Sequence, residues 1–183
     1  MPTVLVPLAE GCEELEAITV TDLLRRGEVT VITAGLDKRP VCASRGAVLV
    51  PDTTLDEVMD ARLDMIVLPG GLPGADHLNN DERIHTLLKR LSREGKYTCA
   101  ICAAPIILAK AGLLAGKRAT SYPGILEKMA PAGVALTGAA VEVDGTVITS
   151  RGPGTAMDFA LTLLEVLQGS ETREKVEAGL VRD

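Results

Sequence analysis

Apolar residues fall along the chain in two alternating rhythms. Short, nearly continuous apolar runs at residues 3–8, 28–34, 46–51, 63–68 and 97–101 predict strands, several of them rich in β-branched side chains. Between them lie stretches with apolar positions three or four apart, which predict helices over 13–26, 81–94, 105–111 and 154–167. Ile84, Leu87, Leu88 and Leu91 share one face of the second, and Phe159, Leu163 and Leu167 one face of the last. Residues 171–179 predict a final helix. Residues 139–143 and 146–150 flank Asp144-Gly145, which predicts an antiparallel hairpin with that pair in its turn.

Strands alternating with helices, and strands apolar on both faces, indicate a mostly parallel sheet covered on both sides. The expected class is α/β, with one domain over residues 1–183 and a small antiparallel hairpin. No linker-like tract or internal repeat divides the chain. Sites in such folds lie beyond the carboxyl ends of the strands. That rule singles out residues 10–16, 69–74, 102–105 and 150–155.

Composition narrows the function classes. The 183 residues carry 19 Lys+Arg against 25 Asp+Glu, a net charge of −6, so a phosphate-binding charge balance is missing. Only one Phe, two Tyr and no Trp are present, so the chain lacks a base-stacking platform and its core must come from Val, Ile, Leu and Ala. Nucleic acid is therefore not an expected partner. The longest apolar stretch, residues 103–116, includes Lys110 and falls short of the roughly 18 residues a membrane span needs. Met1 leads directly into a strand-like run without a basic n-region, so a cytoplasmic, membrane-free protein is expected.

Cys12, Cys42, Cys99 and Cys102 are expected to be thiols, since a chain of this size folds without staples. The Cys99-x-x-Cys102 spacing lacks the further ligands that zinc needs, and His77 and His85 do not supply them. A dithiol pair normally opens a helix, whereas Cys99 stands inside an apolar run. The first strand is followed by Ala9-Glu10-Gly11-Cys12-Glu13-Glu14 instead of G-x-G-x-x-G, and its carboxylates would repel a pyrophosphate. Neither a metal nor a nucleotide cofactor is expected. Gly152-Pro153-Gly154 reads as a tight turn feeding a helix, or as an anion site assisted by Arg151.

The segment 97–105 is more informative. An apolar strand, then Cys102, then Ala103-Ala104 and Pro105 at a helix start match a nucleophile elbow, where a sharp turn demands small neighbours. A helix N-terminus at the sulfur would favour thiolate, and backbone N–H groups there and at Gly70-Gly71 would stabilise an oxyanion. The alternative is a buried cysteine acting as a small hydrophobe. Glu16 shares a helix face with Val20, Leu23 and Leu24, which turns it toward the core. Buried there it would have a raised pKa and serve as a proton shuttle; the alternative is a partly exposed helix carboxylate. His85 reads as a surface or packing residue, and His77, in the loop after Gly70-Gly71, as a loop residue open to a site role.

The segments Glu13-Glu14-Leu15-Glu16, Leu68-Pro69-Gly70-Gly71, Ala100-Ile101-Cys102-Ala103-Ala104-Pro105 and Ser150-Arg151-Gly152-Pro153-Gly154-Thr155, in this order, resemble the ThiJ/PfpI superfamily. More narrowly they resemble the branch of the parkinsonism-associated protein deglycase ("DJ-one") and its bacterial relatives. The resemblance implies a flavodoxin-like sandwich, a homodimer, a reactive and oxidisable Cys102, and a protonated Glu16 beside it. It maps oxyanion-type amides onto Gly71 and Ala103, with Gly70 lining the site, and an interface arginine onto Arg45. It implies cofactor-free glyoxalase or deglycase activity on methylglyoxal-type α-oxoaldehydes or their glycated adducts, with oxidative-stress and chaperone roles. The alternatives are a redox sensor or chaperone that turns nothing over, and an amidotransferase-like hydrolase. Protease-like relatives carry a histidine after the cysteine; here that position is Ala103. The branch also carries a histidine where this chain has Tyr122, whose phenol is a poor base near neutral pH.

Overall fold

The computed structural model describes residues 1–182. In chain order the elements are β1 (Thr3–Leu8), α1 (Glu14–Arg26), β2 (Thr30–Gly35), β3 (Val41–Cys42), β4 (Val48–Leu49), β5 (Thr53–Thr54), β6 (Met65–Leu68), α2 (Gly74–Asn79), α3 (Glu82–Arg93) and β7 (Tyr97–Ile101). There follow α4 (Pro105–Lys110), β8 (Arg118–Ala119), α5 (Ile125–Met129), β9 (Ala135–Leu136), β10 (Val141–Asp144), β11 (Val147–Ser150), α6 (Ala156–Gln168) and α7 (Ser170–Gly179).

Seven strands form one sheet in the order β10-β11-β7-β6-β1-β2-β5. Every neighbouring pair is parallel except β10 on β11. Successive side chains of a strand point to opposite faces, so each strand feeds two cores. Val4, Val6, Leu8, Met65, Val67, Cys99, Ile101 and Ile148 pack under α1, α6 and Val176 of α7. Leu5, Ile66, Leu68, Ala100 and Val147 pack under α2, α3, α4 and α5. Burial on both faces is why the central strands read as unbroken apolar runs. This is the α/β, flavodoxin-like sandwich expected from the sequence. Among the described residues no helix is long and apolar enough to cross a membrane.

The topology also places a crevice. The chain leaves β1 through α1 on one face, and leaves β6 through α2 and α3 on the other. The crossovers diverge between β1 and β6, which opens a gap at their carboxyl ends. The loops after β1, β6 and β7 all emerge there.

Three local readings differ from the pattern. Residues 46–51 do not join the main sheet: Val48–Leu49 pairs with Val41–Cys42 in a separate antiparallel ribbon. The free edge of β2 takes Thr53–Thr54 instead. Polar bonding decides this, because the Asp52 carboxylate accepts the Thr33 N–H (2.9 Å), the Thr33 hydroxyl (2.8 Å) and the Arg25 guanidinium (2.8 Å). In the hairpin, Asp144 pairs with Val147 inside the ladder, and Gly145-Thr146 makes the turn. Gly145 at φ +63° supplies the glycine-first conformation, while the Asp144 carboxylate stays behind to accept the Arg118 N–H at 2.9 Å. The short α2, α5 and the β8–β9 pair carry too few periodic positions to be read from the pattern.

Candidate active site

Strand β7 ends at Ile101, and the next residue, Cys102, sits at φ +64° before α4 starts at Pro105. A side chain in this left-handed region costs about 1–2 kcal/mol, so the surroundings must hold it there. Three backbone bonds do so. The Cys102 N–H donates to the Ser150 carbonyl (3.0 Å), the Tyr122 N–H donates to the Cys102 carbonyl (2.8 Å), and the Ala104 N–H donates to the Ile101 carbonyl (3.0 Å). Ala103 and Ala104 are both buried, which is where the small residues are needed. The thiol itself is partly exposed.

Glu16, in the first turn of α1, is completely buried. One carboxyl oxygen accepts the Gly70 N–H at 2.8 Å, and the other has no protein partner. Gly70 threads between the two side chains. A Cβ there would lie 2.6 Å from the Cys102 Cβ and 2.9 Å from the bonded Glu16 oxygen. Gly71 follows at φ +84°, and a Cβ on it would lie 2.4 Å from the Glu13 nitrogen. The Glu13 N–H in turn donates to the Gly70 carbonyl at 2.9 Å. Two glycines thus let the loop after β6 pass close to both the start of α1 and the Cys102 turn.

Burial pushes the Glu16 carboxyl up to about 7, against the opposing pull of the Gly70 N–H and the Cys102 thiol. Burial also pushes the Cys102 thiol up to about 12, aided by the charge of the neighbouring Glu16 carboxylate. The backbone N–H groups of Gly71 and Ala103 act on the sulfur in the other direction. The lowered thiol pKa expected of a helix start is therefore not found. Helix α4 is only six residues long, and desolvation together with a neighbouring carboxylate outweighs its dipole. Once Glu16 is protonated, the carboxylate's part of that rise disappears. The two groups titrate as a pair, with the carboxyl giving up its proton before the thiol.

The remaining singled-out residues are placed as follows. Tyr122 touches Cys102 through its backbone, and its half-exposed ring lies over Gly152, where a Cβ would be 3.3 Å from the ring. Arg45 is exposed; its guanidinium donates to the Ser44 carbonyl (3.3 Å) and reaches neither Cys102 nor Glu16 within the chain. Arg151 donates to the Gly138 carbonyl at 2.6 Å, so it is tied into the turn beside β10. His77 bonds the Glu10 carbonyl (2.9 Å) and His85 the Asn79 carbonyl (2.9 Å). Cys99 and Cys12 are buried thiols raised by desolvation, Cys12 to about 11, whereas Cys42 is exposed. One contact had no signal in the sequence: the Ser44 hydroxyl donates to Glu13 (2.8 Å) and Glu14 (3.0 Å), clasping the β3–β4 ribbon onto the start of α1.

Residues 2–166 match the DJ-1/PfpI family. Over 181 residues the chain is 41% identical to Protein DJ-1 homolog A of Arabidopsis thaliana, covering 98% of this chain and 46% of that relative. The chain thus spans less than half of that relative's length. It is 40% identical over 162 residues to the glutathione-independent glyoxalase DJR-1.2 of Caenorhabditis elegans, covering 88% of this chain and 86% of the relative. The crystal structure of Drosophila melanogaster DJ-1beta has the same fold, with a TM-score of 0.95 at 40% sequence identity, over 100% of this chain and 98% of that one. With a family match over most of its length and relatives at this level of identity, the chain belongs to the DJ-1/PfpI family.

Proposed function

We propose that this chain is a cysteine-dependent, cofactor-free glyoxalase of the deglycase type, acting on methylglyoxal-like α-oxoaldehydes or their adducts. The observation that carries the reading is the Cys102–Glu16 pair: a strained, partly exposed thiol beside a fully buried carboxyl raised to about 7. The similarity to a glutathione-independent glyoxalase supports it.

The chemistry needs one nucleophile and one group that both takes and gives a proton near neutral pH. Ionised Glu16 takes the Cys102 proton as the sulfur bonds to the aldehyde carbon. That proton passes to the aldehyde oxygen, giving a hemithioacetal. During attack, the N–H groups of Gly71 and Ala103 face the developing negative charge. The Glu16 carboxylate then removes the hydrogen on the former aldehyde carbon as a proton and returns it to the adjacent ketone carbon, through an enediolate, while the hydroxyl proton of the hemithioacetal passes to the former ketone oxygen. The aldehyde carbon has been oxidised to a thioester and the ketone carbon reduced to an alcohol, so no outside oxidant or reductant enters. Water attacks the thioester, the S–C bond breaks, and lactate leaves with the thiol restored.

The test is lactate formation from methylglyoxal, without glutathione, by wild type and Cys102→Ser. Lactate from the wild type alone is expected. Equal rates from both proteins, or none from the wild type, refute the proposal.

A further inference from the structure

Cys102 is held in its left-handed conformation from both sides of its own backbone, and both restraints lead to one strand. The Ser150 carbonyl receives the Cys102 N–H at 3.0 Å. Ser150 is itself completely buried, and its hydroxyl lies 2.7 Å from the Ala140 carbonyl and 2.7 Å from the Thr155 hydroxyl. Thr155 also closes the following turn, accepting the Gly152 N–H at 3.1 Å. The end of β11 is thereby pinned to the residue before β10 on one side and to the start of α6 on the other.

The second restraint comes through Thr149, the preceding residue, whose side chain points to the opposite face of the sheet. Thr149 is completely buried, and its hydroxyl oxygen accepts the Thr120 N–H at 2.9 Å. Thr120 opens the segment Thr120-Ser121-Tyr122, and the Tyr122 N–H donates to the Cys102 carbonyl at 2.8 Å. The Ser121 hydroxyl fixes the other end of this segment by accepting the Leu126 N–H at 3.2 Å. Two adjacent hydroxyls on β11 therefore anchor the two segments that bond the Cys102 N–H and C=O.

The geometry points to Thr149 and Ser150 as positioning residues for the Cys102 nucleophile, acting through the backbone on either side of it. Neither side chain bonds the sulfur or Glu16. Their effect is on direction: the turn at Cys102 aims the sulfur at Glu16 and turns the Ala103 N–H toward it. Thr149→Val keeps the shape of the side chain but leaves the buried Thr120 N–H without an acceptor. Ser150→Ala frees the end of β11. Either change lets the turn relax, and sub-ångström misplacement of a reacting group is costly.

The inference concerns the same thiol as the proposed activity, so its test reads the thiol without turnover. The pH dependence of iodoacetamide labelling is followed by peptide mass spectrometry, with the exposed Cys42 as reference in the same sample. In Thr149→Val and Ser150→Ala the relaxed sulfur loses part of the burial and the Glu16 contact that raise its pKa, so Cys102 labelling at pH 7 is expected to quicken about tenfold and its pH profile to move downward, with Cys42 unchanged. Thr149→Ser, which restores the acceptor, should return the wild-type profile. Ile148→Val, on the same strand but in the opposite core, should lower the thermal midpoint and leave the Cys102 profile alone. Wild-type profiles in both Thr149→Val and Ser150→Ala, or the same displacement in Ile148→Val, would overturn the inference. Should the profiles move as stated while the wild type makes no lactate, the positioning role stands and the glyoxalase reading falls.

Discussion

Replacing Glu16 by Gln should change how stability depends on pH, in a direction the structure fixes. In the folded chain the carboxyl sits at about 7, against an ordinary value of 4.5. Between those values the folded state holds a proton that the unfolded state has lost. The contribution of Glu16 to stability is then greatest below pH 4.5 and is lost as pH rises through about 7, where the buried carboxyl must ionise. The gap corresponds to about 3 kcal/mol at 1.36 kcal/mol for each tenfold change in proton affinity. Glutamine is nearly isosteric, never ionises, and keeps an oxygen for the Gly70 N–H. Urea unfolding of both proteins under reducing conditions, from pH 4.5 to 8, isolates this one group in the difference between the two curves. The two proteins should be of similar stability at the acid end. Glu16→Gln should gain on the wild type by about 3 kcal/mol by pH 8. A difference that stays constant across the range would show that Glu16 has the same proton affinity folded and unfolded. The account of the site as a buried, proton-holding carboxyl would then fail.

Two other substitutions test the packing around that pair. Gly70→Ala puts a Cβ 2.6 Å from the Cys102 Cβ, and should cost about 2 kcal/mol in urea unfolding while abolishing lactate formation; wild-type stability and rate would mean the loop yields freely. Phe159→Ala removes the chain's single Phe from a fully buried site on α6 and should cost about 4 kcal/mol. A loss under about 1 kcal/mol would show that the core between α6 and the sheet collapses to fill the space.

What the sequence made legible follows from how each feature is encoded. The central strands announce themselves because both of their faces are buried, leaving no polar position to blur the run. Ile84, Leu87, Leu88 and Leu91 mark α3 because they face a single core. Cys102 stands out by its neighbours: a strand before it, two alanines after it, and a proline to start the helix. Glu16 stands out as one carboxylate on an otherwise apolar face. These are local signals, written within one turn or one strand.

The features that escaped are those whose partners lie far along the chain. The sheet edge goes to Thr53–Thr54 because Asp52 bonds Thr33, a choice the apolar run at 46–51 could not reveal. Gly70 meets Glu16 across 54 residues of sequence, and its lack of a side chain matters only because Cys102 arrives on its other side. The Cys102 pKa runs against the helix-start expectation for the same reason. A helix start is visible in sequence, whereas the depth of burial and a carboxylate from another element are not. The sequence by itself determined which segments are strands and helices and which residues carry chemistry, because periodicity and residue type are local. Tertiary structure alone decided which of them meet and how strongly each is desolvated, since those depend on the distances that folding sets between remote parts of the chain.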